Sequence, residues 1–284
     1  MSRTRPRVRT WRRTLRALAL IGRARAARSG ADGDAADRAE GGAGGIDRTG
    51  GDGDGLLHLS PGPHGTALRE DRGPLAPARL LRPRQGRLGD CWLMAPMLAL
   101  HETAPERLRA LLREEPGGIV AVQLPGMDRP LRVDRRLPVE TGGGFCYARR
   151  HGANPGWAGV LEKAIAGHVA GDYRFLQRGL ARFGFELLLG ERVRTRLALP
   201  SAGQILAWQA EGRALTASTH PLSSLVPGAA GPLPRNHVFA VVGADARSGH
   251  VHLRNPWRPD AVLVLDARRF RRGVLSVDVT APLR

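Results

Sequence analysis

Apolar positions change their period twice along this chain. From about Leu75, the stretch "CWLMAPMLALHETAPERLRALLRE" sets Leu93, Met97, Leu98, Leu108, Leu111 and Leu112 at helical spacings, which predicts one or two helices with a kink at Pro96. "GGIVAVQLPG" and "RPLRVDRRLPVE" then alternate with period two and predict short strands. "WAGVLEKAIAGHVAGDYRFLQRGL" returns to a helical period, with Trp157, Leu161 and Ile165 on one side. Further on, "RALTASTH", "NHVFAVVGAD", "GHVHLRNPW" and "AVLVLD" are strand-like runs bounded by Gly, Pro and Asp at hairpin intervals. The pattern predicts an α+β chain with a mainly helical subdomain over residues 75–190, a β-rich subdomain over 191–284, and a cleft between them.

Ahead of Leu75 no period is found. Residues 1–30 carry ten arginines and no acid, whereas 31–60 carry Asp32, Asp34, Asp37, Glu40, Asp47, Asp52 and Asp54 against Arg38 and Arg48. Neither half has enough apolar content to offset the entropy of ordering its backbone, so residues 1–70 are expected to form a disordered tail, Arg-rich and then Gly/Asp-rich. The run "GGAGGIDRTGGDGDG" keeps no register for a calcium-binding repeat.

Charge alters this picture less than its size implies. The formal charge of +18 would ordinarily point to nucleic acid or an anionic membrane, yet Lys163 is the only lysine, so the excess is arginine used throughout the chain. A weak anionic partner, nucleic acid or acidic lipid, is expected only through the tail. No run of eighteen uncharged apolar residues predicts a membrane span, and Arg16 interrupts the short run "LRALALIG" where a secretory signal would need continuity. Two cysteines are too few to staple a chain of 284 residues, which fits a reduced compartment and, with no convincing secretory signal, a cytoplasmic one; a monomer is expected.

The chemistry concentrates in "QGRLGDCWLM". Cys91 stands at a helix start, where backbone N–H groups and the positive end of the helix dipole favour thiolate. Gln85 lies six residues upstream across a glycine pair, Gly86 and Gly89, so its amide can fold back to join the Cys91 N–H in an oxyanion hole. A thiol needs a base held by a third group. His237 opens the strand "NHVFAVVG"; Asn255, in "LRNPW", is placed to fix its tautomer without adding charge, and Trp257 is expected to shield that contact from water.

These blocks, in this order, resemble the catalytic blocks of calpain-type cysteine proteases, and "WAGVLEKAIAGHVAGDY" is similar to the helix those proteases carry between Cys and His. The likeness runs from about residue 75 to the C-terminus. It implies a papain-like fold of two subdomains, a nucleophilic Cys91, a general base His237, an orienting Asn255, an oxyanion donor Gln85, and Gly89, Trp92 and Trp257 about the substrate cleft. It implies endopeptidase action on a protein or peptide substrate through a thioester, with no cofactor.

The departures carry information too. Members of the family commonly bind calcium, through an acid nine residues before the cysteine and acids inserted after the Asn-Pro-Trp block. Here the first position is Arg82 and the second region passes directly into "AVLVLDARRF", so no metal and no calcium dependence is expected. Pro96 within the helix, and Arg258 where the family usually has glycine, motivate an alternative: a catalytically silent relative that keeps the cleft as a peptide-binding surface. An acyl transferase of transglutaminase type is disfavoured by the amide Asn255. Cys146 is expected to be filler, His250 and His252 an ordinary hairpin face, and Glu162 with Lys163 a solvated helix face or an internal ion pair.

Overall fold

A computed structural model describes residues 55–76, 81–150, 154–227 and 231–283. The expected N-terminal tail over residues 1–54 lies outside the described residues. Residues 55–70, assigned to that tail on composition, are instead drawn into the fold. Strand β1 (Leu56–Leu57) pairs parallel with β6 (Leu131–Asp134), and β2 (Ala67–Glu70) pairs antiparallel with β7 (Arg136–Val139). A short polar segment of this kind is ordered by its partners. Asp71, just after β2, is buried against Arg135 at 3.0 Å and accepts the Gly156 N–H at 2.8 Å.

The first half is built around one helix with no polar face. Helix α1 (Cys91–Thr103) is buried from Trp92 to Leu100, as a helix apolar on every side must be. It runs through Pro96 without a break. Proline supplies no N–H to the carbonyl one turn back, that of Trp92, and this carbonyl faces Gly184 of α4 (Ala181–Leu189), where a side chain would overlap it and crowd Pro96 Cγ at 2.9 Å. Helix α2 (Pro105–Arg109) follows, then β4 (Leu112–Glu115) and β5 (Ile119–Val122), which with β6 and β1 make a sheet in the order β1-β6-β5-β4. The half predicted as mainly helical therefore carries this sheet and two small ribbons, β2-β7 and β3-β8 (Pro83–Arg84 with Arg149–Arg150). Helix α3 (Gly156–Val169) lies against them and is buried from Gly156 to Ala166.

The second half is one antiparallel sheet in the order β13-β12-β11-β10-β14-β9, formed by β9 (Arg194–Arg196), β10 (Leu215–Thr219), β11 (Val238–Asp245), β12 (His250–Asn255), β13 (Arg258–Leu265) and β14 (Val274–Val279). Helices α5 (Ala202–Ala210) and α6 (Ala267–Gly273), neither of them predicted, join it. Strand β11 shows why "VFAVV" reads as continuous apolar sequence. Val238 and Ala240 belong to the core around α1, whereas Phe239 and Val241 belong to a second core with Ile205, Leu253 and Phe270. A strand buried on both faces has no polar side to display. The same double burial docks the sheet on α1, which sets the start of β11 beside the start of the helix. No described helix is long and apolar enough to cross a membrane.

Candidate active site

Cys91 is the first residue of α1 and is only half-buried, unlike the nine residues after it. Asp90 precedes it at the cap position, its carbonyl accepting the N–H groups of Leu93 at 2.8 Å and Met94 at 3.1 Å, while its carboxyl does not cap the helix. A backbone hydrogen bond from Val238 reaches the Cys91 thiol. Val238 follows His237, so the fold brings together groups that are far apart in sequence.

His237 is 2% exposed and is held from several directions. Its N–H donates to Thr219 Oγ1 at 2.9 Å, its carbonyl accepts the Thr219 N–H at 2.8 Å, and Thr219 Oγ1 donates in turn to the Pro234 carbonyl at 2.6 Å. The ring stacks on Trp257, with centroids 4.0 Å apart and an interplanar angle of 29°, and meets the Phe239 ring edge-on at 5.0 Å. Nε2 lies 2.9 Å from Asn255 Oδ1, which also accepts the Trp257 N–H at 3.0 Å. An amide oxygen only accepts, so Nε2 carries the proton and Nδ1 keeps its lone pair. Asn255 owes this position to a shift of register between Arg254 and Asn255, where β12 turns into β13.

The electrostatics correct one expectation. The N–H groups of Cys91 and Trp92 do pull the thiol pKa down, but burial is the larger effect and the neighbouring Asp90 carboxyl adds to it, so the thiol is pushed up to about 11. Burial likewise lowers His237 to about 4, against the stabilising Asn255 contact. Burial thus favours the neutral form of each group. The helix end alone does not produce a thiolate.

The remaining predicted residues fall into place differently. Gln85 is buried, its N–H on the Pro256 carbonyl at 3.0 Å and its Nε2 on the Leu88 carbonyl at 2.7 Å, so the loop ahead of Cys91 is tied to the turn that carries Trp257. Gly89 is exposed, and its carbonyl accepts the Arg178 N–H at 3.0 Å. Trp92 faces the interior instead of a cleft: it is 3% exposed, with Nε1 on the Leu176 carbonyl and Gly179 against its ring. Trp257 is 43% exposed and covers His237. Cys146 is a free thiol in the core. His250 and His252 are half-buried on β12, and no group of three or more metal-binding side chains occurs among the described residues.

Glu162 and Lys163 match neither expectation. Both are 1% exposed, and they are not paired with each other. Lys163 Nζ donates to Asp134 Oδ1 at 2.6 Å and to the Arg136 carbonyl at 3.0 Å. Glu162 accepts the Ala148 N–H at 3.0 Å with one oxygen, and its other oxygen and both oxygens of the nearby buried Asp90 carboxyl meet no N–H donor. Sequence reasoning missed Asp90 altogether. Its one signal was an acid directly before the candidate nucleophile.

A half-exposed thiol at a helix start, on a core shared with the residue after His237, and an amide oxygen on one ring nitrogen of that histidine are the parts a cysteine hydrolase of Cys-His-Asn type would need. The sequence agrees. Residues 78–261, more than half of the chain, match the profile described as calpain family cysteine protease, and the chain belongs to that family. It is 31% identical over 193 residues to the calpain-type cysteine protease DEK1 of Arabidopsis thaliana, a match that covers 61% of this chain and 9% of the relative. It is 29% identical over 192 residues to the calpain-2 catalytic subunit of Bos taurus and 30% identical over 192 residues to the calpain-1 catalytic subunit of Homo sapiens, covering 61% of this chain and 27% of each relative. The chain thus spans well under a third of the length of these curated relatives.

Proposed function

We propose that this chain is a calcium-independent cysteine endopeptidase in which Cys91 is the nucleophile, His237 the general base, Asn255 its orienter and Gln85 an oxyanion donor. The observation that carries the reading is the contact of 2.9 Å between His237 Nε2 and Asn255 Oδ1, under Trp257 and beside the strand that reaches the Cys91 thiol. His237 Nδ1 takes the thiol proton as sulfur attacks the scissile carbonyl, so the two charges arise together and no ion pair need preexist. The oxyanion is met by the Cys91 N–H and by the second hydrogen of Gln85 Nε2, the first being on Leu88. The imidazolium then protonates the leaving amine, which departs to leave a thioester. Water, deprotonated by His237, attacks the thioester and releases the acid and the thiol.

Calcium independence is supported by what Arg82 does. Its guanidinium sits 2.6 Å from Glu102 at the end of α1 and 3.8 Å from Asp260 in β13, while Arg254 of β12 reaches the same Glu102 at 3.6 Å. A fixed cation already joins the two halves at that position. The free state of both described cysteines fits a reducing compartment.

The test is selective alkylation together with turnover. Peptide cleavage should vanish in Cys91→Ala and persist in Cys146→Ala, and should be unchanged by added calcium or by a chelator. Cleavage surviving in Cys91→Ala overturns the mechanism, and stimulation by calcium overturns the metal-free reading.

A further inference from the structure

Four arginines flank the site. Arg84 precedes Gln85 and donates from Nε to the Trp257 carbonyl at 3.2 Å; Arg258 follows Trp257; Arg235 lies two residues before His237; and Arg178 gives its N–H to Gly89, two residues before Cys91. All four side chains are exposed, and none forms an ion pair with an acid of the described residues. The acids nearest in the fold are already engaged: Glu140 with Arg87, Glu102 with Arg82 and Arg254, and Asp260 with Arg82. A surplus of arginine leaves many unpaired elsewhere, but these four stand on the segments that carry the candidate residues, where the one acid next to Cys91, Asp90, is buried and its carboxyl raised toward the neutral form.

Backbone strain singles out the same places. Arg178 at φ 68° and Asn236 at φ 49° are the non-glycine residues with left-handed backbone among the described residues. One is bonded to the loop of the nucleophile, and the other stands next to the base. Asparagine tolerates this region, whereas for an arginine it is an energetic cost that glycine would avoid. Arginine stands there nonetheless, exposed, with its backbone N–H on the Gly89 carbonyl.

We propose that Arg84, Arg178, Arg235 and Arg258 form a positive rim that selects peptide substrates carrying Asp or Glu beside the scissile bond. The proposal rests on the peptidase reading and gives it a substrate class. Carboxylates of a bound peptide would supply the anionic partners the rim lacks, steering encounter and holding the chain across Cys91.

The test compares matched peptides that differ only in acidic, neutral or basic residues flanking one cleavable bond, at low and high salt. Wild-type kcat/KM should favour the acidic peptide over the neutral one by about tenfold at low salt and lose that preference in high salt. The ratio should fall in Arg178→Gly, which suits the local backbone, and further in Arg178→Gly combined with Arg235→Gln and Arg258→Gln. Cleavage of all peptides at equal rates, dependent on Cys91, overturns the rim and leaves the peptidase intact. Absence of any cleavage refutes the peptidase, and binding to Cys91→Ala, read by fluorescence anisotropy, then judges the rim. Tighter, salt-sensitive binding of the acidic peptide supports it; equal affinities, or tighter binding of a single-stranded oligonucleotide of the same charge, overturn it.

Discussion

Replacing Asp90 with Asn probes the most unusual electrostatic feature of the fold. Asp90 is fully buried and its carboxyl faces that of Glu162, itself 1% exposed. The groups around Glu162 are Cys146, Tyr147, Tyr173 and the Ala148 N–H, none of them a cation, and Lys163 is occupied by Asp134. Two buried carboxyls near each other without a cation resist ionising together. Burial raises both, Asp90 to about 7 and Glu162 well above the usual carboxylate range. A carboxyl whose pKa is higher in the folded chain than in the unfolded one binds a proton that the unfolded chain has released. Its contribution is therefore complete below the unfolded value and disappears as pH climbs through 7. From about pH 5 to about pH 8 this amounts to roughly two pH units, or about 3 kcal/mol. His237, lowered to about 4, tilts stability the other way between about pH 4 and 6.5, but it is present in both proteins and cancels in the difference. Urea denaturation at stepped pH should show Asp90→Asn gaining about 3 kcal/mol relative to wild type across that interval. Alkylation of Cys91 should also quicken in the variant, because the neighbouring negative charge is gone. Stability curves for the two proteins that stay parallel would refute the raised Asp90 carboxyl.

Other consequences can be checked singly. With His237 at about 4 and Cys91 at about 11, kcat/KM should hold a plateau through neutral pH and fall as pH drops through about 4; an acid limb near the ordinary imidazole value would contradict the lowered His237. His237→Ala should lower kcat by about 10²- to 10⁴-fold and Asn255→Ala by less, the second leaving thermal stability near wild type if its role is orientation. Gly184→Ala, which overlaps the Trp92 carbonyl, should cost about 1–3 kcal/mol in thermal denaturation, and a neutral result would mean that α1 and α4 separate easily.

Much of this organisation is written in local pattern. The apolar run after Cys91 is a buried helix and the run after His237 a strand buried on both faces, each uninterrupted for that reason, whereas the adjacent strand that ends at Asn255 alternates with period two. Cys91, His237 and Asn255 were legible because each sits in a short block of unusual residue types, and the order of those blocks narrows the chemistry. Other elements left weaker marks. Helix α6 buries Phe270 and the stem of Arg269 beneath a run of arginines, so its period is hidden. Strand β1 is only two leucines long and β2 is short and mixed in polarity, and they are stabilised by β6 and β7, about seventy residues away, instead of by their own propensity.

Residue types and their spacing thus singled out the candidate atoms for chemistry and the kind of element each one rides on, since those properties depend on neighbours in the chain. Only the packed molecule decided their surroundings: burial outweighs the helix end at Cys91, Asp90 lies near Glu162 of another helix, and Arg84 reaches the carbonyl of Trp257. Solvation and charge act through space, and distance in space is set by the closing of the two cores on β11.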